Sequence, residues 1–317
     1  MRPEISTGKW NVSEEEHGIR LDKFLAQSGG VSRRIARIWI SSGRVEVKGR
    51  PLRILTKPLR KGTVVVLRPG KQLDSANDDK KAPGVPIEIL FADRDVVVVN
   101  KPPNLLSESD RFGAPSLDAV LARQLGNMGE PDKLWLVHRL DAGTSGVMVL
   151  ARTPRAAREL SAAFRMGKVK KTYIALAQGY LRKGTHIDGP IARVKGTKHG
   201  VKAGGKPSHT QVSPLETTKT ATLVKALPTT GRTHQIRVHM ASIEMPLYGD
   251  RLYGGPGYTE VETPEPIGRA MLHAFRLVFP HPKTKEMQAV EITPPGDFIA
   301  LAHSLELLSE GGGFALD

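Results

Sequence analysis

The sequence predicts an α+β protein with two domains and a mixed sheet. Its 317 residues exceed what one small core requires. A stretch at 69–85, rich in polar residues, glycine and proline and without apolar periodicity, separates a short first part from a longer second part. In the longer part, helical patterns interrupt strand-like runs at irregular intervals. We therefore expect one domain at 1–68, a linker at 69–85 and a second domain at 86–317.

The first domain is expected to combine two short helices with short strands. An amphipathic helix follows Leu21, and a second helix begins at Ser32 as its N-cap and stops at Gly43. The second helix has an apolar face and a basic face, formed respectively by Ile35, Ile38 and Trp39 and by Arg33, Arg34 and Arg37. Strands are predicted at 45–47, 52–55 and 63–67.

The second domain is expected to be dominated by strands. The predicted strands are 87–91, 96–99, 169–178, 221–227, 271–279 and 288–292. Ser116 is expected to cap a helix that runs to about 125, and Thr153 and Pro154 open another that ends at Gly167. Thr233 is expected to cap a further helix whose inner face carries Ile236, Met240 and Ile243, with Gln235 and Val238 elsewhere.

The composition points to a polyanionic partner. There are 47 Lys and Arg against 32 Asp and Glu, a formal net charge of +15, and such an excess favours nucleic acid. The sequence has no cysteine, which excludes disulfides, thiolate catalysis and Cys-ligated zinc. We see no secretory signal and no apolar run long enough to span a membrane, so we expect a cytoplasmic protein.

The segment HRLDAGTSG at 138–146 places charged side chains on a glycine-containing loop between two apolar runs. Asp141 could act as a nucleophile, as a general base or as a turn former. Gly143 and Gly146 would let the backbone approach a ligand, and Thr144 and Ser145 could hold the turn or contact phosphate. The loop therefore predicts either a reactive carboxylate or a structural turn.

Several histidines raise the question of a metal site. His138, His234 and His239 have no nearby carboxylates at ligand spacing. We therefore predict no metal and no cofactor.

The loop motif is similar to the central motif of the RluA-type pseudouridine synthases. Other segments resemble that family in the same order, namely 91–103, 171–175, 230–239, 249–254 and 272–274. Residues 15–68 resemble the S4 RNA-binding domain, through Arg20-Leu21-Asp22, Ser32-Arg33-Arg34 and the hairpin at 43–49. The resemblance implies a mixed, largely antiparallel central sheet with flanking helices, preceded by a small S4-like α/β domain.

The sequence departs from these families at three places. Lys48 stands where S4 domains usually have Asn, and Asn104 lies in a turn where the synthases usually have Gly. Because Asn tolerates a left-handed backbone, we expect that turn to persist. The third departure is a basic insert at 193–206, which we interpret as a substrate-specific contact.

The resemblance also implies roles for individual residues. Asp141 is the implied catalytic carboxylate, Arg237 the cation that pairs with it, and Tyr173 the aromatic residue that stacks on uracil and moves a proton. Arg139 would fill the gap left by a flipped base. Whether Asp141 adds to C1′ or C6, or assists elimination, stays open. The residues expected to bind RNA are Arg139, Arg20, Arg33, Arg34, Arg37 and Arg232, the last beside a helix N-terminus suited to phosphate.

The favoured function is an RNA pseudouridine synthase that acts on specific uridines of structured RNA, with large-subunit ribosomal RNA ahead of transfer RNA. One alternative is a non-catalytic RNA-binding or ribosome-assembly factor with the same fold. Another is a retaining glycosidase or nucleosidase, which needs two carboxylates beside the sugar, and only Asp250 offers a second one. A monomer is the expected state.

Overall fold

The computed structural model describes residues 7–31, 33, 36, 39–40, 44–51, 58–68, 86–109, 114–131, 133–255 and 267–309. The chain divides into two compact units, Met1–Pro83 and Gly84–Asp317. None of the helices in these described ranges is long and apolar enough to span a membrane.

The first unit contains a four-stranded antiparallel sheet. Its strands are β1 (Gly8–Asn11), β2 (Val45–Val47), β3 (Arg50–Pro51) and β4 (Val64–Leu67), in the order β1-β4-β2-β3. Lys48 and Gly49 join β2 to β3 and both have positive φ, 55° and 75°. A two-residue hairpin turn of this kind favours residues that tolerate the left-handed region, which is why Asn suits the position of Lys48 better than Lys does.

Helix α1 (Leu21–Ser28) packs on this sheet because its apolar residues recur on one face. Leu21, Phe24 and Leu25 are buried with Val65 and Leu67 of β4. Strand β1 was not anticipated by the sequence patterns. The predicted strand at 52–55, the cap Ser32 and the arginines Arg34 and Arg37 lie outside the described residues.

The second unit is built on one large mixed sheet. Its described strands are β5 (Glu88–Ala92), β6 (Val96–Lys101), β7 (Trp135–Leu136), β8 (Ser145–Ala151), β9 (Lys170–Gln178), β10 (Thr185–Asp188), β13 (His209–Thr217), β14 (Ala221–Pro228), β15 (Leu272–Pro280) and β16 (Met287–Glu291). The order is β10-β13-β14-β9-β15-β8-β6-β5, with β16 beside β15 and β7 beside β8. Every described pair is antiparallel except β15 with β8. The predicted fold class is confirmed.

Helices cover both faces of this sheet. Successive residues of a strand point to opposite faces, and β8 is buried along its whole length and apolar after Ser145. Met148 and Leu150 pack with the apolar residues of α2 (Leu117–Asn127), whereas Val147 and Val149 pack with those of α3 (Pro154–Arg165). A strand buried on both sides reads in the sequence as a continuous apolar run.

Two further helices and a hairpin complete the described part of this unit. Helix α4 (Gln235–Ser242) packs on β9 and β14 through Ile236 and Met240, and α5 (Gly296–Ser304) packs beside β9 through Phe298 and Leu301. The basic insert forms a two-stranded hairpin of β11 (Ile191–Lys195) and β12 (Lys198–Val201).

One predicted helix start is wrong. Helix α4 begins at Gln235 with His234, not Thr233, as its N-cap, and the caps of this helix include no side-chain hydrogen bond. The side chain of Gln235 instead accepts a hydrogen bond from the backbone N–H of Arg232 and holds the preceding turn. Gln235 and Val238 are buried like Ile236, because the helix is enclosed on more than one side.

Candidate active site

A cavity of about 760 Å³ opens where the motif loop meets the sheet. It is lined by Val137, His138, Arg139, Leu140, Asp141 and Thr144 from the loop region, Phe164, Arg165, Met166 and Gly167 from the end of α3, Val169, Lys171 and Tyr173 around β9, residues 228–236, and Leu272. Asp141 is the one acidic residue in this described lining. The cavity therefore places the motif carboxylate among cationic and aromatic side chains.

The end of the motif loop is fixed by contact with β15. Gly146 has a φ of 117°, and a Cβ atom at this position would lie 2.2 Å from the carbonyl oxygen of Ala274. Only glycine fits there. The hydroxyl of Ser145 lies 2.9 Å from Nδ1 of His273 and is buried. Gly146 thus permits a close approach of two strands rather than of a ligand, and Ser145 is a structural contact.

Two buried cations hold the carbonyl groups that follow Asp141. Nζ of Lys101 donates to the carbonyls of Pro102, Leu105 and Ala142 at 2.9, 2.7 and 3.0 Å. Three acceptors match the three N–H donors of an ammonium group, although burial and the nearby Arg269 lower the pKa of Lys101 to about 7.

Arg269 secures the next carbonyl. Its Nη1 donates to the carbonyl of Gly143 at 3.1 Å, while Asp297 accepts two hydrogen bonds from the same guanidinium. Asn104, in the turn that Lys101 braces, has a φ of 63°, so the expected left-handed turn is present. The backbone beside Asp141 is therefore clamped from two sides.

His138 is a packing residue of the loop. Its ring stacks on Phe164 with centroids 4.6 Å apart, and its Nε2 accepts the backbone N–H of Val149 at 3.1 Å. Burial and the charge of Lys171 lower the pKa of His138 to about 3, so the ring is neutral at pH 7. It joins the loop to the end of α3.

One arginine bridges Asp141, which lines the cavity, and a second carboxylate outside the lining. Nε and Nη2 of Arg237 donate to Oδ2 and Oδ1 of Asp250 at 2.6 and 2.8 Å, and Nη1 donates to Oδ2 of Asp141 at 3.2 Å. The side chain of Asp250 is 1% exposed and that of Asp141 22% exposed. Burial opposes the guanidinium charge, but Asp250 and Asp141 outweigh it and raise the pKa of Arg237.

Tyr173 lies on β9 and lines the same cavity as Asp141. Burial, with a further contribution from Asp141, raises the pKa of its hydroxyl. The phenol is therefore protonated at pH 7, and its ring offers an apolar surface next to the carboxylate.

Four basic side chains also line the cavity. They are Lys171, Arg139, Arg165 and Arg232. Nζ of Lys171 donates to the carbonyl of Thr230 at 2.8 Å, and burial lowers the pKa of this lysine to about 8. Cations around a pocket that also holds an aromatic ring suit a nucleotide and its phosphates.

Comparison with known proteins decides the family. Residues 95–242 match the family model described as RNA pseudouridylate synthase, and residues 19–65 match the S4 domain. A ribosomal large subunit pseudouridine synthase D from Vibrio parahaemolyticus is 32% identical over 320 residues, which cover 95% of each chain. The chain belongs to the RNA pseudouridine synthase family.

Other relatives of this pseudouridine synthase agree. A ribosomal large subunit pseudouridine synthase D from Haemophilus influenzae is 33% identical over 310 residues, covering 93% of this chain and 94% of the relative. The solved structure of human RNA pseudouridylate synthase domain containing 4 is 27% identical, with a TM-score of 0.57 over 69% of this chain and 93% of that one. The family resemblance inferred from the motifs is confirmed.

The structure brings most of the expected site residues together. Asp141, Tyr173, Arg139 and Arg232 line one cavity, and Arg237 reaches it by its hydrogen bond to Asp141. Arg20 and Arg33 lie in the first unit and both donate to Asp22. Within the described ranges, no group of three or more His, Asp or Glu is placed to hold a metal ion.

Sequence reasoning missed the contacts that surround Asp141. Asp250 was considered only as a second glycosidase carboxylate but is the second partner of Arg237, and His234 was considered only as a metal ligand but lies 3.9 Å from Asp141. Tyr253, whose hydroxyl lies 2.8 Å from Nδ1 of His234, was not singled out. Lys101 and Arg269 act on backbone carbonyls, a contact that no spacing pattern reveals.

Proposed function

We propose that this synthase isomerises uridine in RNA with Asp141 as the catalytic carboxylate, Arg237 as its charge partner and Tyr173 as the aromatic residue against the base. The observation that carries the proposal is the position of Asp141. It is the one acidic residue in the described cavity lining, it is 22% exposed, and Arg237 donates to it at 3.2 Å. A carboxylate held by a cation at a basic pocket is ready to react with a sugar or a base in its ionised form.

The reaction breaks the N1–C1′ bond of uridine, turns the uracil and joins C5 to C1′, and the C5 proton leaves to water while N1 takes up a proton from water. The target nucleotide must leave the RNA stack to reach the floor of the cavity. Asp141 then acts at C1′, at C6 or in assisting elimination, and Tyr173 supports the uracil ring and moves a proton. Arg139, which is exposed at the cavity rim, fills the space that the nucleotide vacates.

We propose large-subunit ribosomal RNA as the substrate, because the relatives that match nearly the whole chain are named for that activity. In this proposal the S4-like domain at 1–68 binds RNA through Arg20, Arg33, Arg34 and Arg37, the segment 69–85 is a linker, and 86–317 is the catalytic domain. Arg232 contacts a phosphate at the cavity. The enzyme works as a monomer in the cytoplasm, where such RNA is made in bacteria.

The two alternatives have less support. A binding factor without activity has no need of a carboxylate and a cation paired in a cavity, yet both are in place here. A retaining glycosidase needs a second open carboxylate, and Asp250 is buried and fully engaged by Arg237.

The test uses RNA transcribed with 5-tritiated uridine. Wild-type enzyme releases tritium to water, whereas Asp141→Asn lowers the rate about 10³-fold or more, since a nucleophile or base is removed while the shape is kept. The matched control is Asp188→Asn, an exposed aspartate outside the cavity lining. Tritium release by Asp141→Asn at the wild-type rate refutes the role of Asp141, and free uracil in the products indicates a nucleosidase.

A further inference from the structure

A chain of polar contacts connects the basic hairpin to Asp141. The backbone N–H of His199, on β12, donates to the hydroxyl of Tyr253 at 3.0 Å. That hydroxyl lies 2.8 Å from Nδ1 of His234, and Nε2 of His234 lies 3.9 Å from Oδ2 of Asp141. Four residues distant in sequence therefore form one line that ends at the carboxylate.

The contacts leave one hydrogen of this line available to fix the state of His234. A backbone N–H can only donate, so the Tyr253 hydroxyl accepts from His199, and its own hydrogen is available for donation to Nδ1 of His234. Burial, together with Arg237 and His199, lowers the pKa of His234 against the opposing effect of Asp141 and Asp250, so the imidazole is neutral at pH 7. A neutral ring that accepts at Nδ1 carries its hydrogen on Nε2, the nitrogen that faces Asp141.

The backbone of His234 adopts an unusual conformation, and its ring lies between two aromatic side chains. Its φ and ψ are 57° and 22°, in the left-handed region that glycine or asparagine adopts more easily. The ring makes edge contacts with His199 and Tyr253, with centroids 5.6 and 5.7 Å away. Such backbone strain persists where the surroundings fix it, often at functional sites.

The outer end of the line carries positive charge. The hairpin of β11 and β12 exposes Arg193, Lys195 and Lys198, and Nζ of Lys198 lies 5.9 Å from the ring centroid of Tyr253. The guanidinium of Arg237 lies 5.1 Å from the same ring. Tyr253 therefore contacts both the hairpin and the partner of Asp141.

We propose that His234 is a positioning residue for Asp141, held in the Nε2–H tautomer by the hydroxyl of Tyr253, and that the basic hairpin braces this pair from the side that meets RNA. The inference rests on the proposed role of Asp141. At 3.9 Å from Oδ2 the Nε2–H lies beyond hydrogen-bond distance, so it acts on the carboxylate as an oriented dipole that does not neutralise it, and the hairpin ties that orientation to the RNA-binding surface. The basic insert then has a structural role in addition to its positive charge.

The first variant is Tyr253→Phe, which removes only the hydroxyl and keeps the ring beside Arg237. Nitrogen-15 NMR of histidine-labelled enzyme is expected to show the Nε2–H tautomer of His234 in wild type and a mixture of tautomers in the variant. We expect kcat for tritium release to fall about tenfold, as when a group that orients a reactive residue is lost, with KM for RNA within about twofold. Tyr180→Phe, an exposed tyrosine outside the cavity lining, is the matched control.

The second variant is His234→Asn, because asparagine tolerates the left-handed backbone and the loss is then confined to the ring. If Tyr253 acts through His234, adding Tyr253→Phe to His234→Asn causes no further loss of kcat. Multiplying losses, an Nδ1–H tautomer in wild type, or wild-type kcat in both single variants would overturn the inference. Thermal unfolding of each variant near the wild-type temperature shows that the fold is intact.

The same experiments separate the two proposals. If Asp141→Asn is active, the proposed role of the carboxylate is wrong. The NMR signal of His234 still reports, independently, whether Tyr253 fixes the tautomer of that ring. If Asp141→Asn is inactive while Tyr253→Phe and His234→Asn are fully active, only the positioning role of His234 is wrong.

Discussion

The two units carry charge clusters of opposite design. In the first unit one buried carboxylate, Asp22, accepts hydrogen bonds from Arg20 and Arg33, whose side chains are 45% and 51% exposed. In the second unit one largely buried guanidinium, Arg237, donates to two carboxylates, of which Asp250 is buried and Asp141 opens to the cavity. The shared, buried group is a carboxylate in the first unit and a guanidinium in the second.

The comparison shows that one arrangement, a buried charge paired with more exposed charges, can present either cations or a carboxylate to solvent. A buried charge requires a partner, and the partner that stays open to solvent is thereby held in a fixed direction. In the first unit the open members are cations, which suit phosphate. In the second unit the open member is a carboxylate in a cavity that basic side chains also line.

The largest expected effect comes from removing the buried partner of Arg237. Asp250→Asn leaves the guanidinium with only the open carboxylate of Asp141, and we expect the free energy of unfolding of the second unit to fall by about 3 kcal/mol. Urea unfolding measures the change. Asp141→Asn is the matched control, since it removes the more exposed partner and should change the stability by about 1 kcal/mol or less. Equal losses of unfolding free energy in the two variants would show that Asp250 contributes no more to stability than Asp141 does.

A smaller effect, on the affinity for RNA, is expected when the pH is raised, because one cation of the second unit is a lysine with a lowered pKa. Burial lowers the pKa of Lys171 to about 8, whereas the exposed cations of the first unit, Arg20 and Arg33, are arginines. Lys171 is charged below pH 8 and loses its charge as the pH rises through that value. We expect the affinity for RNA to fall about threefold to tenfold between pH 7 and pH 9.

Fluorescence titration of a labelled RNA across this range measures the effect. Lys171→Arg keeps its charge and should give a flatter profile than wild type. Identical profiles for the two proteins would mean that Lys171 does not contact phosphate.

The smallest effect concerns the open arginines of the first unit. Arg20→Gln and Arg33→Gln should each lower the slope of log affinity against log salt concentration by about 1, since each removes one phosphate contact. Binding of RNA at several salt concentrations gives the slope. Arg276→Gln, a surface arginine paired with Glu291, is the control. Unchanged slopes in the first two variants would leave Asp22 and its arginines as a purely structural cluster.

Much of the fold could be predicted because its strands follow simple patterns. The run at 96–99 and the segment after Ser145 are continuously apolar, and both became central strands buried on two faces. Thr153 and Pro154 start α3 as expected, with the Thr153 hydroxyl accepting the N–H of Ala156. Local chemistry of this kind is visible in a single segment.

The candidate site was less accessible to sequence reasoning. The motif around Asp141 was specific enough to locate the loop, but the clamp by Lys101 and Arg269 depends on carbonyls brought together by the sheet. The helix start at Gln235 was misplaced because His234 before it adopts a left-handed conformation, which remains uncommon for any residue other than glycine and leaves no pattern in the sequence. Asp250 became a partner of Arg237 only through the tertiary fold.

The parallel pairing of β8 with β15 has a consequence for folding during synthesis. His273 lies opposite Ser145 although 128 positions separate them, and such distant contacts form late because a long loop must close first. As the chain is made from its N-terminus, the motif loop is complete well before β15 has left the ribosome. The first unit and the motif loop are then made while the backbone beside Asp141 still lacks its contacts with Arg269 and β15, so the loop reaches its final conformation only after most of the second unit has been synthesised.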